Sequence, residues 1–133
     1  MQISNISVTD GKSTPVSHVF SPMQAGTTST WRENVADIPL DANTVLRVRR
    51  FREKSLRRVR ITLVQYALEE VGTTNNDGYK AAPKIAYSET ANVEIISHAR
   101  STAGRIKDLR TMLAGIIANP QISDLLDNDN TPY

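Results

Sequence analysis

The stretch RVRRFREKSLRRVR, Arg47 to Arg60, carries seven arginines and one lysine against a single glutamate. The chain has 16 basic residues in 133, so half of them fall in about a tenth of its length. A guanidinium is planar, permanently charged and forked, which suits phosphate oxygens and lets it stack on unpaired bases. The chemistry concentrated here is that of holding a polyanion. The formal net charge of +2 conceals it: the block carries +7, and the rest, with eight basic and thirteen acidic residues, carries −5. A nearly neutral chain with one concentrated basic region usually presents it to a polyanion. Nucleic acid is the partner this favours. An anionic membrane surface and a solvated face with no partner are the alternatives.

Catalysis is hard to build from the remaining residues. His18 and His98 are the only histidines, and neither pairs with a serine and a carboxylate at a known spacing. His98 falls at a strand-to-helix junction, where capping or a surface position is expected. Asp124, Asp127 and Asp129 imitate a metal cluster but belong to a terminal helix and tail, where solvation is the better reading. AGTTST (Ala25 to Thr30) lacks the lysine of a phosphate-cradling loop. With no cysteine there is no disulfide framework, thiolate zinc site or cysteine nucleophile. We therefore expect no enzyme, no catalytic or metal-ligating residues, no cofactor and no small-molecule substrate. MQISNISVTDGK has no basic segment followed by an apolar run, and no stretch approaches the roughly 18 apolar residues of a membrane span. A soluble chain without a signal peptide or membrane partner is expected.

The elements that must position the block follow from periodicity. Ile3, Ile6 and Val8 alternate imperfectly, Asp10-Gly11 is a turn signal, and PVSHVF (Pro15 to Phe20) returns with β-branched residues, so residues 1–21 read as a hairpin. SPMQAGTTST (Ser21 to Thr30) reads as loop or weak strand. A short strand is expected near Trp31 to Val35, closed by Pro39. Within the block, Val45, Val48, Phe51, Leu56, Val59, Leu63 and Tyr66 fall near helical spacing, so a basic amphipathic helix is a rival. Val59, Ile61 and Leu63, however, alternate strictly with Arg58, Arg60 and Thr62, and Leu46 and Val48 with Arg47 and Arg49. Two antiparallel strands around the polar REKS (Arg52 to Ser55) are favoured. As strands, they project Arg47, Arg49, Arg58, Arg60 and Thr62 from one face and turn Leu46, Val48, Val59, Ile61 and Leu63 to the other. A long polar loop, Glu69 to Pro83, precedes a strand over Lys84 to His98. On it Ser88, Thr90 and Asn92 would add neutral donors and acceptors to the same face.

The last third is the clearest. Ile106, Leu109, Met112, Leu113, Ile116 and Ile117 form a one-sided helical stripe, with Ser101 or Thr102 as cap and Pro120 as terminator. Asn119 then caps a short second helix with Pro120 at its first position. Strands followed by helices make an α+β fold: an N-terminal β-hairpin, an antiparallel sheet of about five strands over residues 30–98, and two α-helices over 100–127. A single domain, residues 1–133, is expected.

The segment NVEIISHARSTAGRIKDLRTMLAGIIANPQISDLLDNDNTPY (Asn92 to Tyr133) resembles the ending of coat proteins of single-stranded RNA bacteriophages, the levivirus family. The matching features are a V-x-I strand, a Ser/Thr/Ala-rich junction, a helix with KDL and MLA, a short helix with DLLDN and a terminal tyrosine. The outline of the whole chain and its length also fit. The resemblance implies a homodimer with a continuous antiparallel sheet, each subunit's helices packing over the partner's sheet. Ile106, Leu109, Leu113, Ile116 and Ile117 would form that interface. It implies dimers building an icosahedral shell, formed in the bacterial host cytoplasm and found in the virion. The inner sheet face would bind single-stranded genomic RNA through Arg47, Arg49, Arg58, Arg60, Thr62, Ser88, Thr90 and Asn92, and an RNA hairpin bound there would repress replicase translation. Residues Val71 to Ala82 would gather around the shell's symmetry axes. An RNA-stacking tyrosine is expected on the later strand, but Tyr87 is out of phase with Asn92 unless a bulge intervenes. That and the arginine-rich sheet favour largely electrostatic binding. A cellular β-sheet nucleic-acid-binding module without shell assembly is the alternative.

Overall fold

A computed structural model describes residues 1–69 and 84–131. The loop expected over Val71 to Ala82 and the terminal tyrosine lie outside these residues. Six strands form one antiparallel sheet in sequential order: β1 (Ile6–Thr9), β2 (Ser17–Gln24), β3 (Thr28–Glu33), β4 (Val45–Glu53), β5 (Leu56–Leu68) and β6 (Ile85–His98). Two helices follow, α1 (Ala103–Ile117) and α2 (Pro120–Asn128). This is the expected α+β arrangement, with the N-terminal hairpin continuous with the sheet rather than beside it. That makes six strands instead of about five.

The basic block is a β-hairpin and not a helix. β4 and β5 join through Lys54 and Ser55, with Lys54 at φ 31°, as a two-residue turn between right-twisted strands requires. Strict alternation of β-branched residues outweighed the looser helical spacing, because a strand gathers Val59, Ile61 and Leu63 on one face and a helix would scatter them.

The N-terminal hairpin forms as expected, and its turn signal Asp10-Gly11 opens the loop: Asp10 N–H donates to Val16 O (3.0 Å), and Asp10 Oδ1 accepts from Lys12 N–H (3.2 Å) and Val16 N–H (3.0 Å). A carboxylate able to organise backbone donors makes a longer loop with Pro15 inside it. Ser21 to Thr30, expected as loop or weak strand, is instead mostly strand. β2 continues past a bulge between Pro22 and Gln24, and β3 begins at Thr28. Gly26, at φ 141°, turns the chain between them.

His18 fixes the N-terminal hairpin to the sheet. Its Nδ1 lies 2.5 Å from Glu33 Oε1 and its Nε2 lies 2.9 Å from Asp10 Oδ2, so the ring links the β1–β2 loop to the end of β3. After β3, a short 3₁₀ turn (Leu40–Ala42) leads into β4. Asn43, 2 % exposed, accepts from Val35 N–H (3.1 Å) and donates to Pro39 O (3.3 Å).

Both helix caps fall where the sequence placed them. Thr102 Oγ1 accepts from Arg105 N–H (3.4 Å), and Asn119 Oδ1 accepts from Gln121 N–H (3.0 Å), with Pro120 as the first residue of α2. Neither helix buries any residue. Among the described residues the only buried apolar side chains are Phe20 and Ala42. The chain by itself has almost no core.

Candidate nucleic-acid interface

In an antiparallel sheet, residues opposite one another share a face, so the register sorts the side chains. Arg47 lies opposite Thr62, Arg49 opposite Arg60, and Phe51 opposite Arg58. Thr62 in turn lies opposite Asn92, Val64 opposite Thr90, and Tyr66 opposite Ser88. All eight residues expected at the site, Arg47, Arg49, Arg58, Arg60, Thr62, Ser88, Thr90 and Asn92, thus project from one face of β4, β5 and β6. Arg32, opposite Val45 on β3, extends that face and was not foreseen. The sequence held no signal for it, because the face Arg32 joins is set by the pairing of β3 with β4.

The opposite face carries Leu46, Val48, Val59, Ile61 and Leu63, as alternation required. It also receives Arg50, Arg52 and Arg57. The block is therefore divided, with four of its arginines on one face and three on the other. From β3 to β6 the cationic face holds five arginines against Glu53 and Glu94, a net of three positive charges. This is a smaller concentration than the undivided block suggested, but the net charge of the face is still positive.

Local contacts hold the face in order. Arg60 donates to Glu94 Oε2 (3.1 Å), and Thr62 Oγ1 donates to Asn92 Oδ1 (2.7 Å), both directly across β5 and β6. An Arg58 guanidinium nitrogen lies 3.8 Å from Glu53 Oε2. The Arg49 guanidinium sits 4.3 Å from the centre of the Phe51 ring, and that of Arg60 sits 5.8 Å away. Arg47 and Arg49 are both exposed. Tyr87 lies opposite Ala67 and so points to the other face; the bulge in this strand pair falls at Ala67/Leu68 and does not bring it round.

The residues considered for catalysis do not converge. His98 Nδ1 accepts from Arg100 N–H (3.1 Å), a local cap. Asp124 accepts from Asn128 (2.7 Å) and Asn130 (2.8 Å), which lowers its pKa below the usual aspartate value. Among the described residues no group of three His, Asp or Glu side chains could hold a metal ion. No described helix is long and apolar enough to cross a membrane.

A single meandering sheet with one cationic face, an opposite face that sets an aliphatic row beside Arg50, Arg52 and Arg57, and two helices that bury nothing of their own has the build of a subunit made for assembly. The chain belongs to the levivirus coat proteins: the family's model matches residues 1–133, which makes it a capsid protein and a structural rather than catalytic one. Membership replaces the cellular-module alternative. No curated protein matches the chain by sequence. Solved structures do. The virus-like particle of bacteriophage ESE058 aligns over 100 % of both chains at 22 % identity and a TM-score of 0.88. The bacteriophage EMS014 coat protein aligns over 88 % of this chain and 74 % of its own at 27 % identity and 0.75. The bacteriophage GA capsid protein aligns over 94 % of each at 16 % identity and 0.71.

Proposed function

We propose that the chain, one domain over residues 1–133, forms homodimers that close into an icosahedral shell and bind genomic RNA through the cationic sheet face. The observation that carries the RNA reading is the placement of Arg47, Arg49, Arg58 and Arg60 on one face, with Thr62, Ser88, Thr90 and Asn92 in phase beside them. Guanidinium forks provide affinity through phosphate, and the neutral side chains offer donors and acceptors to base edges. The same face would hold an RNA hairpin that represses replicase translation. Assembly belongs to the bacterial cytoplasm, where coat protein and genome meet, and the product is the virion.

Dimerisation is supported by what the lone chain leaves uncovered. Leu109, Met112, Ile116 and Ile117 are each roughly half exposed on α1, while Leu63 and Tyr87 are open on the apolar sheet face. Two copies pairing along β6, each laying α1 over the other's sheet, would cover both sets. Ile106, Leu109, Leu113, Ile116 and Ile117 are the proposed contact.

The test is a filter-binding titration of single-stranded RNA at several salt concentrations. Arg58→Ala with Arg60→Ala should weaken binding and flatten the slope of log K against log salt by about 0.7 per lost phosphate contact. Dimers should persist. Unchanged affinity and slope would remove this face as the RNA site.

A further inference from the structure

Phe51 is out of character with its surroundings. It projects from the cationic face, directly opposite Arg58 and one alternation beyond Arg49, where its neighbours are charged. Its ring is partly exposed. Tyr66 is on the same face but at the far end of β5, opposite Ser88 and away from the arginines.

We infer that Phe51 is a stacking platform for one unpaired base of single-stranded RNA, with Arg49 and Arg60 as its cationic flanks. This rests on the proposed RNA-binding role of the same face. Proteins that hold single strands combine a positive groove with aromatic rings, because every base has a flat face once it is unpaired. The distances suggest how a base gains access. At 4.3 Å the Arg49 guanidinium is in close contact with the ring. At 5.8 Å that of Arg60 is near the outer limit of about 6 Å for a cation–π attraction, so little is lost when it moves aside. Arg60 also keeps Glu94, 3.1 Å away, as a partner, so displacement leaves no stranded charge. Arg49 stays on the ring, and Arg58 is left to meet the phosphates. A duplex offers no such base, since stacking already covers its faces.

The experiment compares the intact chain with Phe51→Leu and Phe51→Tyr, at protein concentrations too low for shells to form. It measures affinity for single-stranded and double-stranded RNA over a range of salt. Phe51→Leu removes no charge, so its salt slope for single strands should equal that of the parent while affinity falls roughly fivefold to a hundredfold. Duplex affinity should not change, and Phe51→Tyr should bind as the parent does. A fluorescent base analogue in the single strand should be quenched by the parent and by Phe51→Tyr, and not by Phe51→Leu. Equal affinity of Phe51→Leu and parent would overturn the inference. So would a loss accompanied by a flattened salt slope, or equal losses on single and double strands, because either would make the ring a mere spacer for the arginines. If the parent itself fails to bind RNA, the proposed function falls first and this inference with it, a result visible before any substitution is made.

Discussion

His18 sits between two carboxylates on opposite ring nitrogens, Asp10 at 2.9 Å and Glu33 at 2.5 Å, and only the doubly protonated ring can donate to both. The hydrogen bond to Asp10 first, and that to Glu33 next, raise the His18 pKa above its ordinary 6.5, against a smaller opposing effect of burial. Asp10 moves the other way. Its bond to His18, then the backbone donor of Val16, hold its pKa well below the ordinary 3.8, with the Lys12 ammonium 3.4 Å away helping. A raised histidine pKa stabilises the fold fully below pH 6.5, and that contribution is lost as pH climbs through the folded value. A lowered aspartate pKa stabilises it above 3.8 and is lost as pH falls through the folded value. The clamp is therefore complete between about pH 4 and about pH 6.5. Amide exchange of β1 and β2 should accelerate relative to that of β5 as pH is raised above this window, after correction for intrinsic exchange. In His18→Phe this excess should vanish, and an identical pH response in that variant would mean that the clamp does not titrate as described. This triad was not legible in the sequence. His18 and Glu33 are fifteen residues apart, and they meet only because β2 and β3 pair with Phe20 opposite Glu33.

The free edge of β6 and the bare stripe of α1 belong together at the scale of elements. Ala99 N–H donates to Ser55 O (2.7 Å), and the ladder alternates from that pair. By that alternation Val93 and Ile95 bond to β5, whereas Thr90, Asn92 and Glu94 turn their N–H groups to the open edge. Proline is tolerated at an edge position whose N–H is not used inside the sheet. Thr90→Pro should leave the β5–β6 ladder in place but remove a donor that a second copy's β6 would need. Sedimentation should then show a dimer dissociation constant raised by about tenfold, as for one lost hydrogen bond plus the clash of the ring. Dimers as tight as the parent's would mean that copies do not join along this edge. Leu113→Asp tests the other half of the same interface. A carboxylate placed unpaired among apolar side chains costs several kcal/mol, roughly 3–5 when no partner neutralises it. Dimers and particles should be lost together, by sedimentation and by electron microscopy. Intact shells from this variant would show that α1 does not lie against a second copy.

At the scale of the whole molecule, periodicity made legible what depends on near neighbours: the alternation of β4 and β5, the caps at Thr102 and Asn119, and the stripe from Ile106 to Ile117. It could not show which arginines share a face with Arg32, because that depends on the pairing of β3 with β4. The same alternation did imply that Arg50, Arg52 and Arg57 turn away, since they are in phase with Leu46, Val48 and Val59. A larger fact was also hidden in the sequence. An apolar content of 39 % suggests a chain that can bury a core of its own, yet only Phe20 and Ala42 among the described apolar residues are buried in one copy. Leu46, Val48, Val59, Ile61 and Leu63 line one sheet face, and Leu109, Met112, Ile116 and Ile117 stand open along a helix stripe. Burial is the main favourable contribution to folding, and each ordered residue costs about 1–2 kcal/mol of backbone entropy. A copy that covers so little apolar surface gains too little to offset that cost, so folding and pairing should be one event. Denaturant unfolding should then show a midpoint that rises with protein concentration, by about 1.4 kcal/mol of apparent stability for each tenfold increase. Circular dichroism and sedimentation should report the same transition. A midpoint independent of concentration, with folded monomers present at high dilution, would mean that the single sheet stands without its partner.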